Sequence, residues 1–237
     1  MRNPAENDFL IIGHRGAAGL VPENTLPSFK LALELGCRAI ELDVHHAADA
    51  LLVIHDHELR RTTNRSGKVA ALTEDALRTI DAGGGAAIPR LEEVFSLVQQ
   101  FASAAQPIMV NVELKGAATA APVAEFLQRA WPGITPLVSS FDHEELAVFR
   151  RLDQQTAVAT LFDRWQSDWQ TVASRLEAQA VNLNSRICNA ERLETIRQAD
   201  FLVYVYTVNE LQRARRLAAW GANGIFTDRP DRMLERV

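Results

Sequence analysis

Short apolar runs of strand character alternate with runs of helical spacing along almost the entire chain, and no other feature of the sequence limits the fold as much. The strand candidates are Phe9 to Ile12, Ala39 to Val44, Ile108 to Leu114, Pro136 to Ser139, Ala157 to Leu161, Ala180 to Leu183, Leu202 to Val208 and Gly224 to Phe226. Helical patterns fall between them at Thr25 to Leu35, Leu91 to Phe101, Ala121 to Ala130, Glu144 to Leu152, Trp169 to Ala178, Ala190 to Gln198 and Leu211 to Trp220, the first stopped by Gly36. Leu51 to Ile54 reads as a hairpin partner of Ala39 to Val44 across a turn near Asp49. Such alternation implies parallel strands with crossover helices, and eight units favour a closed TIM (β/α)8 barrel over an open doubly wound sheet. No Gly-x-Gly-x-x-Gly follows any strand candidate, which argues against the Rossmann alternative. Neither a linker nor a repeat divides the sequence, so residues 1–237 are expected to form one domain.

Composition narrows the partners. At 47% hydrophobic residues the chain has ample material for a core, which excludes disordered and fibrous classes. Lys and Arg number 25 against 30 Asp and Glu, with no basic tail or stripe, so nucleic acid is not an expected partner. Cys37 and Cys188 lie far apart and read as ordinary reduced thiols, because a disulfide framework or a cysteine metal site needs more or closer cysteines. Met1 to Asp8 shows no secretory pattern, and no run of about 18 apolar residues occurs, so a soluble cytoplasmic protein is expected. A monomer or a homodimer fits equally.

The chemistry concentrates where a barrel would put it, at the carboxyl ends of the strands. The first strand runs into His14 and Arg15, and the hairpin strand into His55 and Asp56. In the second strand Glu41, Asp43 and His45 alternate with apolar residues and so share one face. Asn111, Glu113 and Lys115 do the same in the Ile108 run. A lone carboxylate facing a barrel interior is most simply paired with Arg or Lys, but three from adjacent strands suggest a shared cation. Glu41, Asp43 and Glu113 are hard oxygen ligands with no cysteine nearby, which suits Mg²⁺ or Ca²⁺. His14 and His55 are the natural acid/base pair, while Arg15 and Lys115 suit an anionic substrate. Together these groups point to phosphoryl transfer or phosphodiester cleavage.

The motifs His14-Arg15-Gly16, Pro22-Glu23-Asn24-Thr25, Glu41-Leu42-Asp43-Val44, His55-Asp56 and Arg61-Thr62-Thr63 resemble the glycerophosphodiester phosphodiesterase family. Ile88-Pro89 with Leu91-Glu92-Glu93, Val112 to Lys115, Thr207-Val208-Asn209, and Gly224-Ile225 with Thr227 to Pro230 extend the match in order through residues 13–230. The resemblance implies a TIM-barrel hydrolase with a short, reduced insertion after the second strand. It implies a divalent cation (Mg²⁺ or Ca²⁺, Mn²⁺ being a third candidate) used to split a small-molecule glycerophosphodiester into sn-glycerol 3-phosphate and an alcohol. Carried onto this chain, His14 and His55 are catalytic, Glu41, Asp43 and Glu113 hold the metal, and Arg15 with Lys115 contacts phosphate. Whether the nucleophile is water or the neighbouring glycerol hydroxyl, and which histidine is the base, stays open. A lysophospholipase D-like phosphodiesterase is the nearest alternative, and a noncatalytic barrel for phosphate-bearing ligands is a more distant one.

Two departures from the family pattern stand out. Asp81 to Ala87 is abbreviated and glycine-rich, and Tyr206 replaces the tryptophan usual before Thr-Val-Asn, keeping an aromatic wall for the substrate and adding a hydroxyl. Asp49-Ala50 replaces a usual Asp-Gly turn, tolerable if Ala50 keeps a negative φ. Glu23, Asn24 and Thr25 are expected mainly to shape the first loop, with Thr25 as helix N-cap. Asn182 and Asn184 either line the pocket or fill the barrel. His45 is a candidate supporting group, His46, His57 and His143 are expected at the surface, and Trp131, Trp165, Trp169 and Trp220 are expected to pack. Asp228-Arg229-Pro230 is expected to end the last strand and orient a closing helix.

Overall fold

The structure, a computed structural model, describes residues 9–77, 79–234 and 237, so the Met1 to Asp8 reading lies outside the described residues. Eight parallel strands close into a barrel: β1 (Leu10–His14), β2 (Ala39–Ala47), β4 (Ile108–Leu114), β5 (Ile134–Ser140), β6 (Ala157–Phe162), β7 (Ala180–Asn184), β8 (Leu202–Tyr206) and β9 (Gly224–Thr227). The ladder runs β1-β9-β8-β7-β6-β5-β4-β2, and β1 pairs with β2 to complete the ring. Antiparallel β3 (Ala50–Val53) hangs on the outer end of β2 through Ala47↔Ala50. Ala48 and Asp49 take φ of +51° and +53° in that turn, while Ala50 is already strand. The left-handed positions are thus Ala48 and Asp49, and Ala50 needs no positive φ, the condition under which alanine is tolerated there.

Period-2 alternation divides each strand between two cores. The outward set, including Ile40, Leu42, Val44, Val110 and Val112, packs with Phe29, Leu33, Leu91 and Phe95 of the surrounding helices. The inward set forms a smaller plug of Ile12, Ala39, Leu137, Ala159, Ala180, Tyr204 and Phe226, in which three alanines make room for the two rings. His14, Glu41, Asp43 and Glu113 continue that inward set one or two steps further along their strands. All four tryptophans pack against the main core, as expected.

The helices are α1 (Leu26–Glu34), α2 (Glu74–Leu77), α3 (Leu91–Gln99), α4 (Ala120–Leu127), α5 (His143–Leu152), α6 (Trp169–Arg175), α7 (Ala190–Gln198), α8 (Leu211–Ala219) and α9 (Pro230–Met233). Thr25 caps α1 as expected, accepting from the Ser28 amide at 3.3 Å, and Pro230 opens α9. Several helices end earlier than their periodicity suggests. In α6 the reason is Glu177, which turns left-handed (φ +49°) while the Ala178 amide folds back to Ala173 O at 3.0 Å. Strand β8 also stops short of the expected Val208, because its partner β7 ends at Asn184, opposite Tyr206.

The crossover from β3 to α3 is the reduced insertion. It contains α2, two single helical turns (Leu59–Arg61 and Val69–Ala71) and an apolar cluster of its own, with Leu52, Leu59, Val69, Ile80 and Ile88 buried. Asp81 gathers its glycine-rich end, accepting from the Gly83 and Gly85 amides at 2.7 and 3.0 Å. Gly83 has φ +109°, and a Cβ there would sit 2.8 Å from the Pro22 ring, so the insertion presses directly on the loop after β1. No helix among the described residues is long and apolar enough to cross a membrane.

Candidate active site

The predicted residues converge at one rim of the barrel, around a cavity of about 160 Å3 lined by His14, Arg15, Glu41, His55, Asn111, Glu113, Lys115 and Tyr206, with apolar walls from Phe141, Leu161 and Phe226. Register explains the convergence. Asp43 pairs with Glu113 across the β2–β4 ladder, and His14 with Glu41 across β1–β2. The chain turns sharply after His14, where Arg15 (φ +52°) and Gly16 (φ +85°) are both left-handed. A Cβ on Gly16 would lie 2.6 Å from the Ser28 backbone, so the close approach of this turn to α1 needs glycine. That turn aims the Arg15 amide at Glu41 Oε2, 2.9 Å away.

The three acids are buried, and each offers an oxygen within 4.8 Å of the others. Asp43 is the best neutralised: Lys115 Nζ and Arg15 Nε lie 3.2 Å from its two oxygens, and Asn24 Nδ2 donates to it at 2.8 Å. Burial would raise its pKa, but the Lys115 and Arg15 charges outweigh that and pull it down to about 2. Glu113, although in close contact with Lys115, is pushed up to about 7 by burial. Glu41 is pushed well upward by burial and by the like charges of Asp43 and Glu113. Two cations therefore face three carboxylates, and Glu41 Oε1 and Asp43 Oδ1 are buried without a hydrogen bond. Such a donor set, hard, buried, oxygen-only and short of positive charge, fits one divalent cation.

Each histidine has one ring nitrogen held by an aspartate. His14 Nδ1 lies 2.6 Å from Asp228 Oδ1, and His55 Nδ1 lies 2.6 Å from Asp56 Oδ1. An ionised carboxylate only accepts, so Nδ1 carries the proton in both contacts; Nε2 makes no hydrogen bond to the described residues in either ring, although that of His14 lies 3.9 Å from Glu41 Oε2. Asn209 Nδ2 donates to Asp228 Oδ2 at 2.7 Å and its Oδ1 accepts from the Asp228 amide at 2.9 Å. Asp56 is held by Arg61, with Nε and Nη2 donating at 2.6 and 2.9 Å. The Tyr206 hydroxyl is buried without a hydrogen-bond partner among the described residues, and the Tyr206 ring packs edge-on to the half-exposed ring of Phe141, with centroids 5.8 Å apart.

Several groups at this rim carry more, or less, than their sequence context suggests. Glu23 and Asn24, read mainly as loop formers, contact Arg15 and Asp43 respectively. Asp228 holds His14 as well as preceding the closing helix. Phe141 also lines the cavity, and its only sequence signal is an aromatic residue just past a strand end. His45 supports His55 by contacting its backbone carbonyl at 3.2 Å. Asn184 turns aside to Asp163, and Asn182 is buried in the barrel below the cavity, so neither lines it. His46 and His57 are exposed as expected, but His143 is half-buried, 3.2 Å from the Leu161 carbonyl and against Phe162, because its helix starts close beneath the rim.

The profile of the glycerophosphoryl diester phosphodiesterase family matches residues 14–232 of the chain. A glycerophosphodiester phosphodiesterase of Bacillus altitudinis is 35% identical over 95% of this chain and 96% of its own length. One from Caldanaerobacter subterraneus is 31% identical, over 96% and 97%. Among solved structures, an Oleispira antarctica phosphodiesterase in complex with the product sn-glycerol-3-phosphate superposes with a TM-score of 0.89 at 28% identity, covering 94% of both chains.

Proposed function

This chain belongs to the glycerophosphoryl diester phosphodiesterase family, and from that membership we propose a metal-assisted cleavage of glycerophosphodiesters into sn-glycerol 3-phosphate and an alcohol, with His14 and His55 as the acid/base pair. The enzyme class, a phosphoric diester hydrolase, follows from the family; the roles of individual residues are our reading. One observation carries it: two imidazoles, each with Nδ1 tied to an aspartate at 2.6 Å, open on the same small cavity as Glu41 and Glu113, two members of the buried acid triad that Asp43 completes.

The Nδ1 contacts orient each ring, leaving Nε2 as the atom that takes or gives the proton. One histidine accepts a proton from the nucleophile and the other donates to the departing alkoxide; water as nucleophile gives sn-glycerol 3-phosphate directly, whereas the neighbouring glycerol hydroxyl gives a cyclic phosphate that water then opens to the same product. Arg15 and Lys115 face the same cavity and offset the phosphate charge. The Tyr206 hydroxyl, without a protein partner, is free to bond a substrate oxygen. Glu41, Asp43 and Glu113 would hold the divalent cation, which when bound acts as a Lewis acid toward the phosphoryl oxygens. A single domain working in the cytoplasm on a small soluble substrate is part of this reading.

Assays of glycerophosphocholine, glycerophosphoethanolamine and a lysophospholipid, with EDTA and then Mg²⁺, Ca²⁺ or Mn²⁺, test it. The expected result is turnover of the first two, abolished by EDTA and restored by metal. Preference for the lysophospholipid, or full activity in EDTA, contradicts it.

A further inference from the structure

The cavity's two working sides are joined by a bar of two side chains, Glu23 and Arg61, that no part of the reaction so far uses. Arg15 Nη1 donates to Glu23 Oε1 at 2.7 Å. Arg61 grips the same carboxylate with both terminal nitrogens, Nη1 to Oε2 at 2.8 Å and Nη2 to Oε1 at 2.7 Å. Its Nε and Nη2 reach Asp56 on the other side, and Asp56 holds His55. A group that binds phosphate and a group that moves a proton are thus linked through one guanidinium.

We propose that the Glu23–Arg61 pair is a positioning device that fixes the His55 imidazole through Asp56 while aligning Arg15 through Glu23. This inference rests on the acid/base reading of His55. Three features support it beyond the distances. All three guanidinium nitrogens are engaged, in a planar two-sided grip that a lysine ammonium cannot reproduce. The backbone carrying Arg61 is anchored: neighbouring Leu59 is 3% exposed in the insertion's core, and Thr63 Oγ1 donates to the Leu59 carbonyl at 2.9 Å. Glu23, for its part, sits on the loop that Gly83 presses against at Pro22, so the two halves of the bar are brought together by backbone packing. The Arg61 side chain is 47% exposed, so an ion pair of this kind adds little to stability, and its geometry is the more informative property.

The alternative is that Arg61 merely stitches the insertion to the barrel. Arg61→Ala and Arg61→Lys separate the two. As a positioning residue, Arg61 should be missed by both variants, with kcat falling about 10- to 100-fold, less than the roughly 10²- to 10⁴-fold a general acid/base group contributes, and KM changing less than about threefold. Arg61→Lys should at the same time keep the parent melting temperature. The Nδ1-bound proton of His55, followed by 15N-edited NMR in the substrate-free enzyme, should lose its hydrogen-bonded signal in both. With an activated aryl ester of glycerol phosphate, on which His55→Ala is slow but measurable, adding Arg61→Ala should cost less than about twofold, because the two residues act as one unit. An unchanged kcat, an unchanged imidazole signal, or the same fold loss with and without His55 would overturn the proposal. Should His55→Ala itself turn over at the parent rate, the acid/base reading falls, and the imidazole signal alone decides whether Arg61 orients the ring.

Discussion

His14 and His55 make the same contact, Nδ1 to an aspartate oxygen at 2.6 Å, but they rest on very different parts of the molecule. Asp228 directly follows β9, the strand paired with β1, and Asn209 holds it twice, donating Nδ2 to its carboxylate and accepting at Oδ1 from its backbone amide; the same Oδ1 accepts from Thr227 Oγ1 at 3.0 Å. His14 is therefore held by the barrel's own ladder. Asp56 lies where the hairpin leaves the barrel, and its support is charged, partly exposed and borrowed from the insertion through Arg61. Sites on rigid elements hold their geometry better than sites on loops, so the two histidines should respond differently when their surroundings are disturbed.

The largest effects should be symmetric. His14→Ala and His55→Ala are each expected to lower kcat by about 10²- to 10⁴-fold with the fold intact, read from steady-state rates and circular dichroism melts. The next tier breaks the symmetry. Asp228→Asn and Asp56→Asn should each cost on the order of 10- to 100-fold in kcat, and Asn209→Ala should weaken the His14 side while sparing the bar to His55. Gly83→Ala should act where the insertion meets the loop after β1: a left-handed φ and contact with Pro22 predict a loss of about 1–3 kcal/mol, visible in urea melts, with kcat falling through His55.

The smallest effect concerns acid stability. Burial works against Asp228, but the His14 contact outweighs it and holds the carboxyl below its usual range. A depressed carboxylate stabilises the fold above its unfolded pKa of about 3.9 and loses that contribution as pH falls through the folded value. Asp228→Asn should therefore be less stable than the parent at pH 6, and the gap should close below about pH 4. A gap that widens on acidification would contradict the contact.

How much of this was legible depends on the reach of each signal. The barrel was, because strand and helix periods are local, and Glu41 with Asp43 and Asn111 with Glu113 announce a shared face by alternation alone. Helix stops written in glycine were legible too: Gly36 closes α1 with the Cys37 amide folding back to Ala32 O at 3.0 Å. The one made by Glu177 was not, because glutamate does not advertise a left-handed φ (+49°). At the site, what could be read was chemistry, and what could not was pairing. Asp228 lies 214 residues from the histidine it holds, and Glu23 is 38 from Arg61, so no spacing rule connects them. Phe141 faces the cavity only because β5 runs on to Ser140 before the chain turns.

The central claim is that Glu41, Asp43 and Glu113 form one cation site that the two imidazoles face without building it. Calorimetric titration of chelator-treated enzyme with Mn²⁺ tests this most directly, on the parent, on His14→Ala/His55→Ala, and on Glu41→Gln/Glu113→Gln. One site per chain in the first two proteins and none in the third is the predicted result. Binding that survives the loss of both glutamates, or that vanishes with the histidines, would contradict it.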